Sequence, residues 1–564
     1  MRMRQELLAR LRTGECPPVL IIGGGINGVG TFRDLAAQGQ ASLLVEASDF
    51  ASGTSSAPSR LIHGGLRYLE TGEAALVRES LTERNLLLKN ACHVVHPQPV
   101  WVPLDSWFRG SLMAVLRFLH LTRTPGPKGG VPVKLGLMLY DRFGKAHQTM
   151  PNHRMFSAAE AKRLVPVLGS ELRAVAEYYD ARITHPERLV AELVADAEED
   201  CPESMALSYV AAGKLADGGV TLTDRETGES FVVRPKVVVN ASGAWVDGVQ
   251  ENLGFRERMI GGTRGSHLVM RSAMLVEALG GKMLYFETKD HRACLIYPMG
   301  GDRLLLGTTD LRSDDADDKS CTDAEIDYLF RELEVVLPGV RLTRDDIVFA
   351  YAGVRPLPLS KPGATGAISR DHKLVQYPPT AERPFPLITL IGGKWTTYRV
   401  CGEQITDAVL NLLAAKRRQG TQDLPIGGAK GFPFGTKARA AFCRTLAQQS
   451  GLTEGRCGVL AERYGSRAAA VAEAEAAKPG MVEGIDGYSD AEIDLLCRDE
   501  RVTRLEDIVL RRTLMAFEGA VTEKGLTALA VRVAPLLGWD SAREATEVSS
   551  TVRLLQDRHR MSIR

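Results

Sequence analysis

The chain has 564 residues, 44% of them hydrophobic and 25% charged, with a net charge of +1. That length exceeds one ordinary core, so two to four domains are expected. The composition excludes a disordered chain, and the near-zero charge excludes recruitment of nucleic acid by a global field.

The opening MRMRQELLARLRTGECPPV is basic but lacks an apolar core segment, so it does not read as a secretory signal. No stretch approaches 18 uninterrupted apolar residues, so no spanning helix is predicted. Nine scattered cysteines without a C-x-x-C pair fit free thiols in a reducing cytoplasm, and no metal site is expected.

The first predicted element is a buried parallel strand, Val19 to Ile22, followed by Gly23-x-Gly25-x-x-Gly28. These glycines supply the tight turn, close backbone approach and close helix packing that a pyrophosphate at a helix N-terminus needs. The helix should run from Asn27 to Gln38 and stop at Gly39. A second strand, SLLVEA, ends in Glu46, 18 residues after Gly28, where a carboxylate can accept from ribose hydroxyls. Next comes the hydroxyl-rich SDFASGTSSAPSRLIHGGLRYLE, with Gly64-Gly65 between cations.

Residues 106–140 contain no Asp or Glu, five basic residues (Arg109, Arg117, Arg123, Lys128, Lys134) and apolar bulk that includes Trp107, Phe108, Leu112, Met113, Val115, Leu116, Phe118 and Leu119. The arginines interrupt a span, but a helix lying in a bilayer interface tolerates them; the alternative is a helix packed on the substrate domain with its arginines solvated. Strands are expected at Val237 to Asn240, HRACLIYPM and DRLLLGTTD. The acidic DDADDKSCTDAE, Asp314 to Glu325, has no EF-hand register and reads as a solvated loop entering a helix. A third Gly-punctuated strand, ITLIGGKWTTYR, places Lys394 at an expected helix start, where a cation and a helix dipole would stabilise negative charge on a reduced flavin. Three such strand ends, near residues 23, 240 and 392, favour FAD over NAD and require a discontinuous cofactor domain. Residues 417–437 read as a linker, and RAAAVAEAEAAK and LEDIVLRRTLMAF beyond it have helical composition.

Together IIGGGINGVG, TSSAPSRLIHGGLRYLE, NASGAWVD, RGSHLV, LLGTTD, GVRPL, ISRD and GGKWTTYR resemble, in order, the FAD-dependent (aerobic, respiratory) glycerol-3-phosphate dehydrogenases. The resemblance implies an α/β (α+β overall) chain with three parts. These are a Rossmann-like FAD-binding domain (17–103, 181–245, 353–416), an antiparallel-sheet substrate domain with the membrane-facing segment (104–180, 246–352), and a C-terminal helical domain (436–564). It implies non-covalent FAD held by Gly23, Gly25, Asn27, Gly28, Glu46, Thr54, Ser55, Arg60, Leu61, His63, Gly64, Gly65, Ala241, Gly243, Trp245, Gly393, Lys394, Thr396 and Thr397. Arg67, Tyr68, Arg370 and Lys394 look like phosphate ligands, for which arginine offers bidentate contacts. Arg355 looks closer to the carbinol, and His267 is the candidate proton acceptor, with Arg355 as the alternative.

The implied reaction oxidises sn-glycerol 3-phosphate to dihydroxyacetone phosphate by hydride transfer to FAD. Ubiquinone or menaquinone would take the electrons at the inner face of the cytoplasmic membrane, where the protein would sit peripherally. Alternatives are an oxidase passing electrons to oxygen, a related FAD amine oxidase, and a catalytically silent FAD-holding partner. No nucleic-acid partner is expected, and a homodimer stays open.

Overall fold

The computed structural model describes residues 4–69, 73–108, 129–145, 150–288, 290, 292–360 and 371–563, with the side chains of residues 67 and 68 also outside the description. A six-stranded sheet runs in the order Lys373–Tyr377, Leu387–Ile391, Val237–Asn240, Val19–Ile22, Ser42–Val45, Met205–Leu207. All neighbours are parallel except the first pair.

Alternation along the central strand explains why it reads as continuously apolar. Val19 and Ile21 face a core shared with Val29 and Phe32 of the helix Ile26–Ala37, and with Leu189, Ile405 and Val409. Leu20 and Ile22 face the other way, onto Leu7, Leu8 and Leu11 of the helix Arg4–Arg12 and onto Val220 and Leu222. These last two belong to a three-stranded meander, Val210–Ala216, Gly219–Asp224 and Ser230–Val233. Each fully buried Leu or Ile contributes about 1.5–3 kcal/mol.

The second sheet holds ten strands. The strand Thr263–Arg271 pairs antiparallel with Ile347–Arg355, Arg303–Gly307 and Leu311–Arg312. One contact is parallel, Met283–Glu287 on Val95–Leu104, so the sheet is mixed rather than purely antiparallel. Val95–Leu104, Ala174–Ile183 and Ile347–Arg355 are each unbroken strands of this sheet and run across the expected boundaries at 103/104, 180/181 and 352/353.

The expected first helix is observed at Ile26–Ala37, with Gly39 at φ +68° just beyond it. The helix after GGKWTT begins only at Tyr398, so Lys394 lies in the approach turn rather than at the helix start. Helices fill the C-terminal region from Thr436–Ser450 to Ser541–Asp557. LEDIVLRRTLMAF is helical only to Arg512: Thr513 is extended, at φ −131° and ψ 173°, and ends the element. Linker residues Gly427–Ala429 are buried, and the Gly427 amide donates to Asp196 Oδ2 at 2.9 Å, so this stretch is packed. No helix among the described residues is long and apolar enough to cross a membrane.

Candidate active site

A cavity of about 580 Å³ runs from the first glycine turn to the edge of the second sheet. At one end Gly23, at φ +115°, leaves no room for a side chain: a Cβ there would lie 2.6 Å from Ala241 O. Gly28 is not on the cavity wall but closes the turn, since a Cβ would lie 2.0 Å from Gly23 O. Ser55 Oγ accepts from the Ile26 amide at 2.9 Å and so orders the helix N-terminus. Glu46 accepts from the amides of Gly24 (2.7 Å) and Ser48 (2.9 Å), and burial holds its carboxyl above the usual carboxylate range.

The third strand end closes on this turn through glycine. The helix Tyr398–Leu412 approaches Ile26–Ala37 where a Cβ on Gly402 would come within 2.7 Å of Gly30 C. A Cβ on Gly393 would lie 2.7 Å from Asn27 Nδ2. Asn27 lines the cavity, and its Oδ1 is buried with no hydrogen-bond partner among the described residues. Trp395 Nε1 donates to Ser55 O at 3.1 Å. A backbone cradle that a Cβ would fill, a helix N-terminus and an orphaned acceptor fit an extended dinucleotide.

At the other end His267 and Arg355 come from adjacent antiparallel strands, with His267 opposite Tyr351 and Thr263 opposite Arg355. His267 is buried, stacked on Tyr351 at 4.9 Å between ring centroids, and its Nε2 lies 2.8 Å from Ser59 Oγ. Tyr351 Oη donates to Pro58 O (2.8 Å) and Tyr297 Oη to Ser59 O (3.0 Å), which fixes the loop carrying Ser59 to the sheet. Burial, then Arg355 and Arg60, push His267 down to about 3, so it is neutral at pH 7. Arg355 donates to Asp310 Oδ1 and Thr308 Oγ1, both at 3.1 Å. Two glycines make space for these side chains. A Cβ on Gly307 would lie 2.2 Å from His267 Cδ2, and one on Gly265 would lie 2.1 Å from Arg355 Nη2.

Of the residues expected at the site, Gly23, Gly25, Asn27, Glu46, Thr54 and Ser55 line one cavity with His63, Ala241, Gly243 and Trp245, and with Gly393, Lys394, His267 and Arg355. Others stand behind the wall. Arg60, at φ +52°, pairs with Glu187 at 3.2 Å and lies over the Phe517 ring, while Leu61 pairs with Arg182 in the second sheet. The Gly64 amide donates to Tyr140 Oη and Asp180 Oδ1, both at 3.0 Å, so it is engaged away from the cavity, and Gly65 follows at φ +75°. Thr396 and Thr397 are buried outside the lining. Arg67 and Tyr68 sit in the short helix Leu66–Leu69 with side chains outside the described residues, as is Arg370.

The sequence reading missed Ser59, although it lies within the quoted motif. It also missed Ala211 and Ala212, small residues without a local signal, and Lys319, the single base of the run DDADDK.

Residues 18–406 match the family described as FAD dependent oxidoreductase, and residues 419–544 match the C-terminal domain of alpha-glycerophosphate oxidase. The chain is 36% identical over 544 residues to a glycerol-3-phosphate dehydrogenase of Synechocystis sp., covering 91% of each protein. It is 33% identical over 561 residues to glycerol-3-phosphate dehydrogenase 2 of Mycobacterium tuberculosis, covering 97% of this chain and 89% of that one. The fold matches the crystal structure of a Bacillus halodurans glycerol-3-phosphate dehydrogenase complexed with FAD, with a TM-score of 0.74 at 23% identity over 98% of this chain and 97% of that one. The chain therefore belongs to the FAD-dependent oxidoreductases and, within them, to the FAD-dependent glycerol-3-phosphate dehydrogenases.

Proposed function

We propose that this chain oxidises sn-glycerol 3-phosphate to dihydroxyacetone phosphate, holds FAD without a covalent bond, and passes the electrons to a membrane quinone. The observation that carries the reading is the meeting, in one cavity, of a dinucleotide turn with the Ser59–His267–Arg355 group. FAD, when bound, supplies the acceptor for the hydride leaving C2 of the substrate. The protein's share is positioning and proton handling.

His267 is neutral at working pH and accepts the carbinol proton, with Ser59 and the Tyr351 stack fixing its ring plane. Arg355, oriented by Asp310 and Thr308, stabilises the charge developing on the carbinol oxygen, a contribution that is usually large. Lys394, with Arg67, Tyr68 and Arg370, holds the phosphate ester.

Peripheral docking on a bilayer supplies the route to quinone. Trp107 and Phe108 are 40% and 77% exposed, and Leu135 and Met138, on the helix Gly130–Phe143, are 57% and 51% exposed. Leu137 and Tyr140 of that helix point into the core, so its faces are divided between protein and surroundings. Residues 109–128, with Arg109, Arg117, Arg123 and Lys128, lie outside the described residues. The second reading is an oxidase that delivers electrons to oxygen, favoured by the match of residues 419–544 to the C-terminal domain of alpha-glycerophosphate oxidase.

Anaerobic stopped-flow tests both readings. Glycerol 3-phosphate should bleach the flavin, and a quinone added without oxygen should restore the oxidised spectrum. Reoxidation by oxygen with stoichiometric hydrogen peroxide, and none by quinone, would establish the oxidase. Flotation with anionic liposomes should be lost in Phe108→Ser/Leu135→Ser; equal flotation of the two folded proteins removes this face as the anchor.

A further inference from the structure

The acidic run Asp314–Glu325 is not a free solvated loop along its whole length. Asp318 pairs with Arg264 at 2.5 Å, the Ser313 amide donates to Gly262 O at 3.1 Å, and Arg560 donates to Cys321 O at 2.9 Å. Thr322 then caps the helix Asp323–Val336. Fixed on both sides, the loop turns Lys319 into the cofactor cavity, where its side chain is only 16% exposed and its Nζ lies 4.4 Å from the Trp245 ring centroid.

Among the described residues the carboxylate paired with it is Asp317, 3.6 Å away and 74% exposed, so the pair is largely screened by solvent. Glu46, on the same cavity, attracts the ammonium at longer range, but its carboxylate oxygens accept from the Gly24 and Ser48 amides and burial holds its carboxyl above the usual range, so it offsets the charge only in part. Burial, and then the neighbouring Arg558 guanidinium, depress the ammonium below the ordinary lysine range. An under-neutralised cation facing a cavity favours an anionic ligand. The cavity also contains a helix N-terminus that suits a pyrophosphate.

We propose that Lys319 is a phosphate ligand of the bound dinucleotide, contributed to the nucleotide cavity by the substrate domain. This rests on the FAD reading above. It makes the nucleotide site a joint product of two domains, because the loop carrying Lys319 is tied to the second sheet through Arg264 and Gly262.

The test is binding to flavin-free protein, not turnover. Lys319→Gln should weaken FAD roughly ten- to hundredfold, the range of a charge-assisted hydrogen bond. It should leave riboflavin, which has no phosphate, at wild-type affinity, and Lys319→Arg should restore FAD binding to within about threefold. Matching thermal unfolding of the flavin-free proteins controls for folding. Unchanged FAD affinity in Lys319→Gln overturns the proposal, as does an equal loss for riboflavin, which would make Lys319 only a support for Trp245. Failure of the wild type to take up FAD would instead sink the parent reading, and this inference with it.

Discussion

At the glycine-turn end of the cavity the facing groups come mainly from residues 23–55 and act largely through backbone; at the His267 end they come from residues 59, 267 and 355 and act through side chains, with Asp310 and Thr308 holding Arg355 from behind. The first end tolerates no Cβ at Gly23 or Gly28. The second needs bulky groups held at defined distances, and it uses Gly265 and Gly307 to make room for them. A nucleotide carries many acceptors that backbone amides and a helix N-terminus can satisfy. A hydride transfer needs one proton acceptor and one cation correctly placed. The turn that starts the nucleotide site can therefore be assembled locally, whereas the chemistry requires long-range packing from the outset.

This contrast can be broken at either end. Gly28→Val should have the largest effect: a side chain 2.0 Å from Gly23 O cannot be accommodated without moving the turn, so purified protein should be colourless and take up no FAD. A yellow, FAD-loaded variant would show that the turn is not rigid. His267→Ala should slow anaerobic flavin reduction about 10²–10⁴-fold while leaving the FAD dissociation constant unchanged. Reduction near the wild-type rate would hand the proton to Arg355 or solvent.

Asp49→Asn probes how local the nucleotide end is. Asp49 is fully buried just after Glu46 and pairs with Arg511 (2.5 Å) and Arg512 (2.6 Å) of the C-terminal domain. Removing its charge leaves two buried guanidiniums short of a partner and should cost about 3–5 kcal/mol, seen as a lower urea midpoint. A loss under about 1 kcal/mol would mean that the remaining partners, Asp507 and Glu506 for Arg511 and the Glu500 carbonyl for Arg512, hold the arginines without it.

The smallest effect is a slope. Burial first, then Arg558, pushes His559 down to about 3; its Nδ1 meets Ala350 O at 2.9 Å on the Ile347–Arg355 strand. Its folded value lies below the unfolded one of about 6.5, so the neutral form's stability is present above that pH. It is lost as pH falls from about 6.5 toward 3. The melting-temperature advantage of wild type over His559→Gln should therefore narrow on acidification, and a constant difference would contradict it.

The LEDIVLRR segment shows where sequence reading stops. Its helical composition is evident, but not that its two arginines enclose Asp49, more than 400 residues away. Nor can composition show that Thr513 would end the helix by turning extended. Lys319 was similarly hidden: among acidic neighbours it reads as solvated, and only the anchoring of Asp318 to Arg264 turns it inward.

The sequence by itself determined the glycine turn, the three Gly-punctuated strand ends, the position of Glu46 and the family. The first three depend on short-range backbone geometry, in which residue type and spacing are sufficient; the family rests on the resemblance of an ordered series of motifs. Tertiary structure alone decided that His267 pairs with Ser59, that Arg355 is oriented by Asp310, and that Arg60 and Gly64 belong to buried networks behind the wall. It also decided that the C-terminal helices brace the nucleotide loop. Which partner a side chain meets depends on strand register and on how domains pack, and a one-residue slip in a strand sends every side chain to the opposite face.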